Sequence, residues 1–150
     1  MPNKPNLKKK MTSSKRLTGL DRRYDIASSA EIDRGVLETI PYEYPGCRTV
    51  IDIDTTEFTA VCPYSGLPDF GTLTIHYIPT DRLIELRSLK YYLFSYRNVG
   101  AYQEHIVHMV LDDLVRLAAP AWMSVTADYN IRGGVHTVAS AEFGSKESEP

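Results

Sequence analysis

The segment Val61-Cys62-Pro63-Tyr64-Ser65-Gly66-Leu67-Pro68-Asp69-Phe70-Gly71 carries one thiol and one carboxylate seven positions apart. Two prolines and two glycines lie between and beside them and fix the path of a loop. Such a loop can hold a nucleophile and an acid in a set relation. A thiol attacks as its thiolate, and a free Cys has a pKa of about 8.5. Backbone N–H groups or a nearby cation would shift Cys62 towards that reactive form. Asp69 can manage the proton, as a general acid if burial or a neighbouring anion keeps it protonated. Each residue also has a plainer reading. Cys62 can be a small buried hydrophobe, and Asp69 can simply form a turn.

Other groups suit a charged or polar ligand. Glu85-Leu86-Arg87-Ser88-Leu89-Lys90-Tyr91-Tyr92 places Arg87 and Lys90 three apart, where one helix face would carry both. That spacing suits phosphate contacts, or else a solvated face. Glu104 opens a later helix. There it can favour the helix dipole, or accept hydrogen bonds from an amidine-like edge such as N1–H and the 2-amino group of a guanine. Arg132-Gly133-Gly134 is a phosphate contact on a hairpin, or only a turn. Four histidines are present, at 76, 105, 108 and 136. His105 and His108 have helical i,i+3 spacing, but neither Cys-x-x-Cys nor His-Glu-x-x-His accompanies them, so no metal site is expected. The chain lacks the Gly-x-Gly-x-x-Gly and P-loop fingerprints of nucleotide-binding turns.

The elements that must position these groups follow from periodicity. Residues 49–55 and 72–78 alternate as strands flanking the 61–71 loop. Leu73, Ile75 and Tyr77 share one face. Thr80 or Asp81 can cap a helix over 85–96. A second helix over 102–118 carries a broad apolar stripe and stops at Pro120. Residues 122–131 alternate again, with Met123, Val125, Ala127, Tyr129 and Ile131 on one face. Gly133-Gly134 makes a tight turn, and 135–143 returns as the last strand. This order predicts an α+β fold: a four-stranded antiparallel sheet with two helices on one face. Its open edges are of the kind that neighbouring subunits close, so a homo-oligomer is expected.

Composition sets the frame. The chain of 150 residues is 43% hydrophobic and 24% charged, with net charge −2, which fits one domain with a real core. Charge is uneven: residues 1–23 hold eight Lys or Arg against Asp21 alone, leaving 9 basic and 18 acidic side chains elsewhere. A basic, largely disordered segment is expected over 1–30, one domain over 31–145, and a flexible tail over 146–150. No secretory signal is visible, and no apolar run nears the roughly 18 residues that span a bilayer. The expectation is a cytoplasmic protein without a membrane partner. Its two cysteines, Cys47 and Cys62, would be free thiols.

Together these segments resemble a known family. The run from Glu85 to Tyr92 is similar to the signature of the NADPH-dependent nitrile reductases of queuosine biosynthesis, the 7-cyano-7-deazaguanine reductases. Val61-Cys62-Pro63 with Pro68-Asp69-Phe70-Gly71 resembles that family's nucleophile segment. Gln103-Glu104 and Arg132-Gly133-Gly134 fall at the corresponding later places. The resemblance spans about residues 45–143 and looks like the family's single-module form. It implies the tunnelling fold, with subunits in rings and active sites at subunit interfaces. It also implies that Cys62 adds to the nitrile carbon to give a covalent thioimide. Asp69 would protonate the nitrogen, and NADPH would supply two hydrides in turn. Thiol addition turns a poor hydride acceptor into a more electrophilic C=N. Glu104 would grip the guanine-like edge beside Gln103, with Ile84, Glu85 and Leu86 lining the base pocket. Leu86, Arg87, Lys90, Arg132 and Gly133 would contact NADPH.

Two positions depart from the family pattern. Arg87 replaces Lys, which keeps the cation but changes its geometry. Gln103 replaces a frequent His and cannot titrate, so Asp69 would bear more of the proton transfer. Two other functions compete with this reading. A zinc-dependent pterin-type cyclohydrolase on the same fold would need a ligand set the chain lacks. A non-enzymatic RNA-binding module would use the basic head, but no stable nucleic-acid partner is expected.

Overall fold

The computed structural model describes residues 24–147. Most of the basic head and the last three residues therefore lie outside the description. A two-stranded ribbon pairs β1 (Thr39–Pro41) with β4 (Arg82–Ile84). The main antiparallel sheet has the order β2 (Ile51–Val61), β3 (Pro68–Ile78), β5 (Trp122–Tyr129), β6 (Val138–Gly144). Between β3 and β5 come β4, α1 (Leu86–Phe94) and α2 (Gln103–Ala118). The α+β class and the four-stranded antiparallel sheet are as the sequence predicts.

Both helices cover one sheet face. Leu73, Ile75, Tyr77, Met123, Val125, Ala127 and Tyr129 are each at most 2% exposed. They form one cluster with Leu89 and Tyr92 of α1 and with Ile106, Val107, Val110, Leu111 and Leu114 of α2. The alternation of β5 ends sooner than expected. Tyr129 is its last residue, and Ile131 is exposed in the following arm.

The strands flanking Cys62 and Asp69 are longer than their alternation shows, at 11 residues each. A bulge between Thr55 and Phe58 puts one extra residue into β2. The inward set therefore changes phase, from Ile51, Ile53 and Thr55 to Phe58 and Ala60, and the pattern hides the continuation. The loop consequently shrinks to 62–67. Asp69 sits in β3 opposite Ala60 rather than in a turn. Pro68 is tolerated as the first residue of its strand. Gly71 is required by a close approach, since a Cβ there would lie 2.5 Å from the Asp128 carbonyl oxygen.

The start of α1 also differs from expectation. Residues 82–84 pair with β1, so the cap moves from Thr80 or Asp81 to Glu85. The Glu85 carboxylate accepts from Arg87 N–H at 2.9 Å and Ser88 N–H at 2.7 Å. Residues 24–30, read from composition as part of the disordered head, run along the body. Ala27 N–H donates to the Asn98 carbonyl at 2.8 Å, and Gly100 N–H donates to the Ala27 carbonyl at 3.0 Å.

One buried polar network ties the N-terminal side to the helices. Arg34 Nε donates to Asp113 Oδ1 at 3.0 Å, and Tyr92 OH donates to Asp113 Oδ2 at 2.6 Å. Tyr92 and Tyr96 hydroxyls lie 2.9 Å apart. Burial pushes the Tyr92 phenol far up, so it stays a neutral donor to the carboxylate. Removing the carboxylate leaves these donors without it. Asp113→Ala is expected to lose about 2–3 kcal/mol in urea unfolding at fixed protein concentration. A loss under about 0.5 kcal/mol would show the network to be dispensable.

Candidate functional site

The nucleophile turn is built by the β2–β3 hairpin. Cys62 N–H donates to the Leu67 carbonyl at 2.9 Å, and Gly66 N–H donates back to the Cys62 carbonyl at 2.8 Å. Gly66 has φ +71 and lies under Tyr24 and Ile26 at 3.3–3.4 Å from a built Cβ, so only glycine fits there without strain. Cys62 is a half-buried free thiol. Hydrogen bonds from the Ser65 backbone, the Ser65 hydroxyl and the Tyr64 backbone hold it below the ordinary thiol range, against some opposition from burial and the Asp69 charge. These are the surroundings of a reactive cysteine rather than a packing one.

A short ladder joins this turn to α2. Val61 N–H donates to the Val99 carbonyl at 3.1 Å, and Ala101 N–H donates to the Val61 carbonyl at 3.2 Å. Three residues after Ala101 comes Glu104, in the first turn of α2. At Gly100 a Cβ would lie 2.3 Å from Ile26 Cγ2 and 3.2 Å from Pro63 Cα. The missing side chain is what lets the three segments meet.

Asp69 is 5% exposed, and Arg132 Nη1 donates to its Oδ1. The arm carrying Arg132 is anchored at its base, where Asn130 N–H donates to the Phe70 carbonyl at 2.8 Å and Tyr129 N–H to the Thr137 carbonyl at 3.0 Å. Arg132 and Val135 exchange backbone hydrogen bonds at 2.9 and 3.0 Å around Gly133 (φ +57) and Gly134 (φ +77). Positive φ at both central positions is the two-residue hairpin that Gly-Gly favours. Beneath the site, the buried Tyr129 hydroxyl donates to the Gln103 carbonyl at 3.1 Å. Burial and the Asp69 and Glu104 charges push that phenol up, so it remains a donor.

These elements enclose a cleft of about 380 Å³, within the range of small-molecule sites. Cys62, Asp69, Gln103, Glu104 and Arg132 all line it. A thiol, a carboxylate, an amide, a second carboxylate and a guanidinium thus share one cleft. They can attack an electrophilic carbon, move a proton, and hold a planar ligand by its donor edge. Tyr102, Asn130 and Thr137 line the cleft as well. Sequence reasoning did not single them out, because nothing in their own patterns distinguishes them from turn and cap residues. Ser65 sat in plain view beside Cys62 without a role.

The residues near α1 do not line this cleft. Leu86 and Lys90 border a separate groove of about 250 Å³ with Leu89, Leu93, Phe94 and residues of β2. Arg87 is exposed. Ile84 is buried in the core at 3% exposure, and its N–H donates to the Tyr77 hydroxyl at 3.2 Å. Glu85 is committed to its helix cap, whose N–H groups hold its carboxyl below the usual range. The chain therefore has two separate clefts, one around Cys62 and one beside α1. Among the described residues no group of three or more His, Cys, Asp and Glu is placed to hold a metal ion. Among them, too, no helix is long and apolar enough to cross a membrane.

Comparison with known proteins supplies the family. Residues 68–148 match the QueF-like protein family. A relative from Caldicellulosiruptor bescii, named NADPH-dependent 7-cyano-7-deazaguanine reductase, is 54% identical over 122 residues, covering 81% of this chain and 93% of the relative. One of the same name from Thermoanaerobacter pseudethanolicus is 50% identical over 123 residues, covering 82% and 92%. The apo crystal structure of an archaeosine synthase, QueF-Like, superimposes with a TM-score of 0.60 at 24% identity, over 64% of this chain and 94% of that one. It shares the fold. With the thiol, the carboxylates and the Gly-Gly arm all in one cleft, the chain belongs to the family of the NADPH-dependent 7-cyano-7-deazaguanine reductases.

Proposed function

We propose that this protein reduces the nitrile of 7-cyano-7-deazaguanine to the aminomethyl group of 7-aminomethyl-7-deazaguanine, within queuosine biosynthesis in the cytoplasm. The observation that carries the reading is the meeting of Cys62, Asp69 and Glu104 in one cleft, in a chain about half identical to reductases of that name.

Glu104 accepts hydrogen bonds from the guanine-like edge, and Gln103 beside it donates and accepts without titrating. This sets the nitrile carbon over Cys62. The thiolate attacks that carbon, and the C≡N π pair takes a proton at nitrogen, giving a thioimide. Asp69 handles this proton. Paired with Arg132, it first receives the proton that Cys62 gives up and then delivers it to nitrogen. Bound NADPH supplies the hydrides, two in all for nitrile to amine. Arg132, half exposed at the cleft edge, and the open backbone at Gly133 suit a phosphate-bearing cofactor.

The two clefts fit a site shared between copies of the chain. The exposed Leu86, Arg87 and Lys90 of one subunit complete the Cys62 cleft of its neighbour in a closed ring. An edge strand on each side of the sheet gives such neighbours a place to pair.

Each nitrile reduced is expected to consume about two NADPH, because the product carries two hydrides. A ratio of one, or NADPH oxidation without nitrile, would contradict the reaction. Asp69→Asn should lower kcat by roughly 100-fold or more, and full activity would move proton transfer elsewhere. Equal mixing of Cys62→Ala and Arg87→Glu chains, each inactive alone, should restore about one site in four when subunits exchange. Mixed oligomers that stay inactive would place the whole site within one chain.

A further inference from the structure

We propose that Ile26 is a positioning residue for Cys62: with the rest of residues 24–27 it clamps the nucleophile turn against the connection that leads into α2. This deepens the reductase reading and rests on Cys62 as its nucleophile.

The turn is covered at a place where a loop tip would otherwise meet solvent. Tyr64 is 74% exposed and Leu67 45%, yet Gly66 between them is buried. The cover comes from the N-terminal strap. A Cβ built on Gly66 would lie 3.3 Å from the Tyr24 carbonyl oxygen and 3.4 Å from Ile26 Cγ1. A Cβ built on Gly100 would run into Ile26 Cγ2 and lie 3.2 Å from Pro63 Cα. The two branches of one side chain therefore face two different segments. Cγ1 faces the turn that starts at Cys62, and Cγ2 faces the connection that reaches Glu104 four residues later. Branching at Cβ leaves χ1 stiff, so the spacing between the two contacts is set by the residue itself.

The strap is itself held in place. Ala27 N–H donates to the Asn98 carbonyl at 2.8 Å, and its carbonyl accepts from Gly100 N–H at 3.0 Å, a parallel bridge to Val99. Val99 and Ala101 are the residues that bond Val61. The strap thus adds a third segment to the ladder that ends at Cys62. That ladder fixes the entry to the turn at Val61. The strap covers its far side at Gly66, whose N–H closes the turn on the Cys62 carbonyl at 2.8 Å. Ile26 keeps 37% of its surface exposed and lies outside the main core cluster, so trimming it leaves that core intact. It does not line the Cys62 cleft, so it touches no substrate there and acts through Cys62.

Local hydrogen exchange and nitrile capture, read together, test the role. In the full chain, without nitrile or cofactor, amide exchange is followed by peptide mass over residues 62–67 and, as a reference, over α2. Ile26→Ala should speed exchange in the turn by roughly tenfold while α2 keeps its wild-type protection. With NADPH withheld, covalent capture of 7-cyano-7-deazaguanine should slow by roughly tenfold or more. Affinity for the nitrile, measured with Cys62→Ala in both chains, should stay within about twofold, because Ile26 serves attack and not binding. Side-chain shape supplies the control. Ile26→Val keeps both Cγ branches and should match wild type on every readout. Ile26→Leu keeps the volume but loses one branch at Cβ, and should behave like Ile26→Ala. Wild-type exchange or wild-type capture in Ile26→Ala would overturn the proposal, as would Val and Leu variants that behave alike. If Ile26→Ala loses α2 protection and so fails to fold, the Val and Leu pair decides on the same readouts. A protein that shows these exchange changes but takes no nitrile would contradict the reductase reading and leave the clamp standing.

Discussion

The ladder at Val61 is the constraint on which the site depends. Two backbone hydrogen bonds, to Val99 and from Ala101, pin the end of β2 to the start of α2. The residue after Val61 is Cys62, the proposed nucleophile, and the residues after Ala101 lead to Glu104, the proposed grip on the substrate. Attack geometry is thus written into main-chain pairing, which side-chain motion does not disturb. The hairpin adds Asp69 through its register opposite Ala60, and the Gly-Gly arm adds Arg132. Effective catalysis needs such groups held close to the productive arrangement, and here three segments distant in sequence, the β2–β3 hairpin, residues 99–104 and the Gly-Gly arm, bring them into one cleft.

Space has to be made for that convergence. Gly100 admits Ile26 and Pro63, Gly71 admits β5, and Gly66 turns the loop under Tyr24. The backbone freedom that glycine costs in the unfolded chain is exchanged here for close approach. Charge is arranged with the same economy. A thiol lowered by hydrogen bonds shares a cleft with a carboxylate paired to arginine, which suits the attack and proton transfer proposed for them. The groove around α1 has cations and exposed apolar side chains, which is what the proposed sharing of a site between subunits would use.

Much of this was legible in the chain. The apolar stripe of α2 and the inward faces of β3 and β5 follow directly from period. The resemblance brought Cys62, Asp69, Gln103, Glu104 and Arg132 together, and the cleft does hold all five. Period misled where a bulge changed phase in β2, so the loop seemed longer and Asp69 seemed to lie in a turn. It also missed the short β1–β4 ribbon, whose three-residue strands are too brief to show alternation, and with it the true cap at Glu85. Ile84 read as a pocket residue, yet it is core. A position in a motif does not tell which way its side chain turns. The hydroxyl of Tyr129 was invisible for another reason: its partner, the Gln103 carbonyl, is fixed only once the α2 ladder has formed.

The central claim is that Cys62 captures the nitrile covalently. Intact mass of the protein mixed with 7-cyano-7-deazaguanine, with NADPH withheld, tests it most directly. The account predicts a gain of one substrate mass per chain in the wild type, lost on adding NADPH, and no gain in Cys62→Ala. A wild type that stays unmodified while binding the nitrile, or an equal adduct on Cys62→Ala, would contradict it.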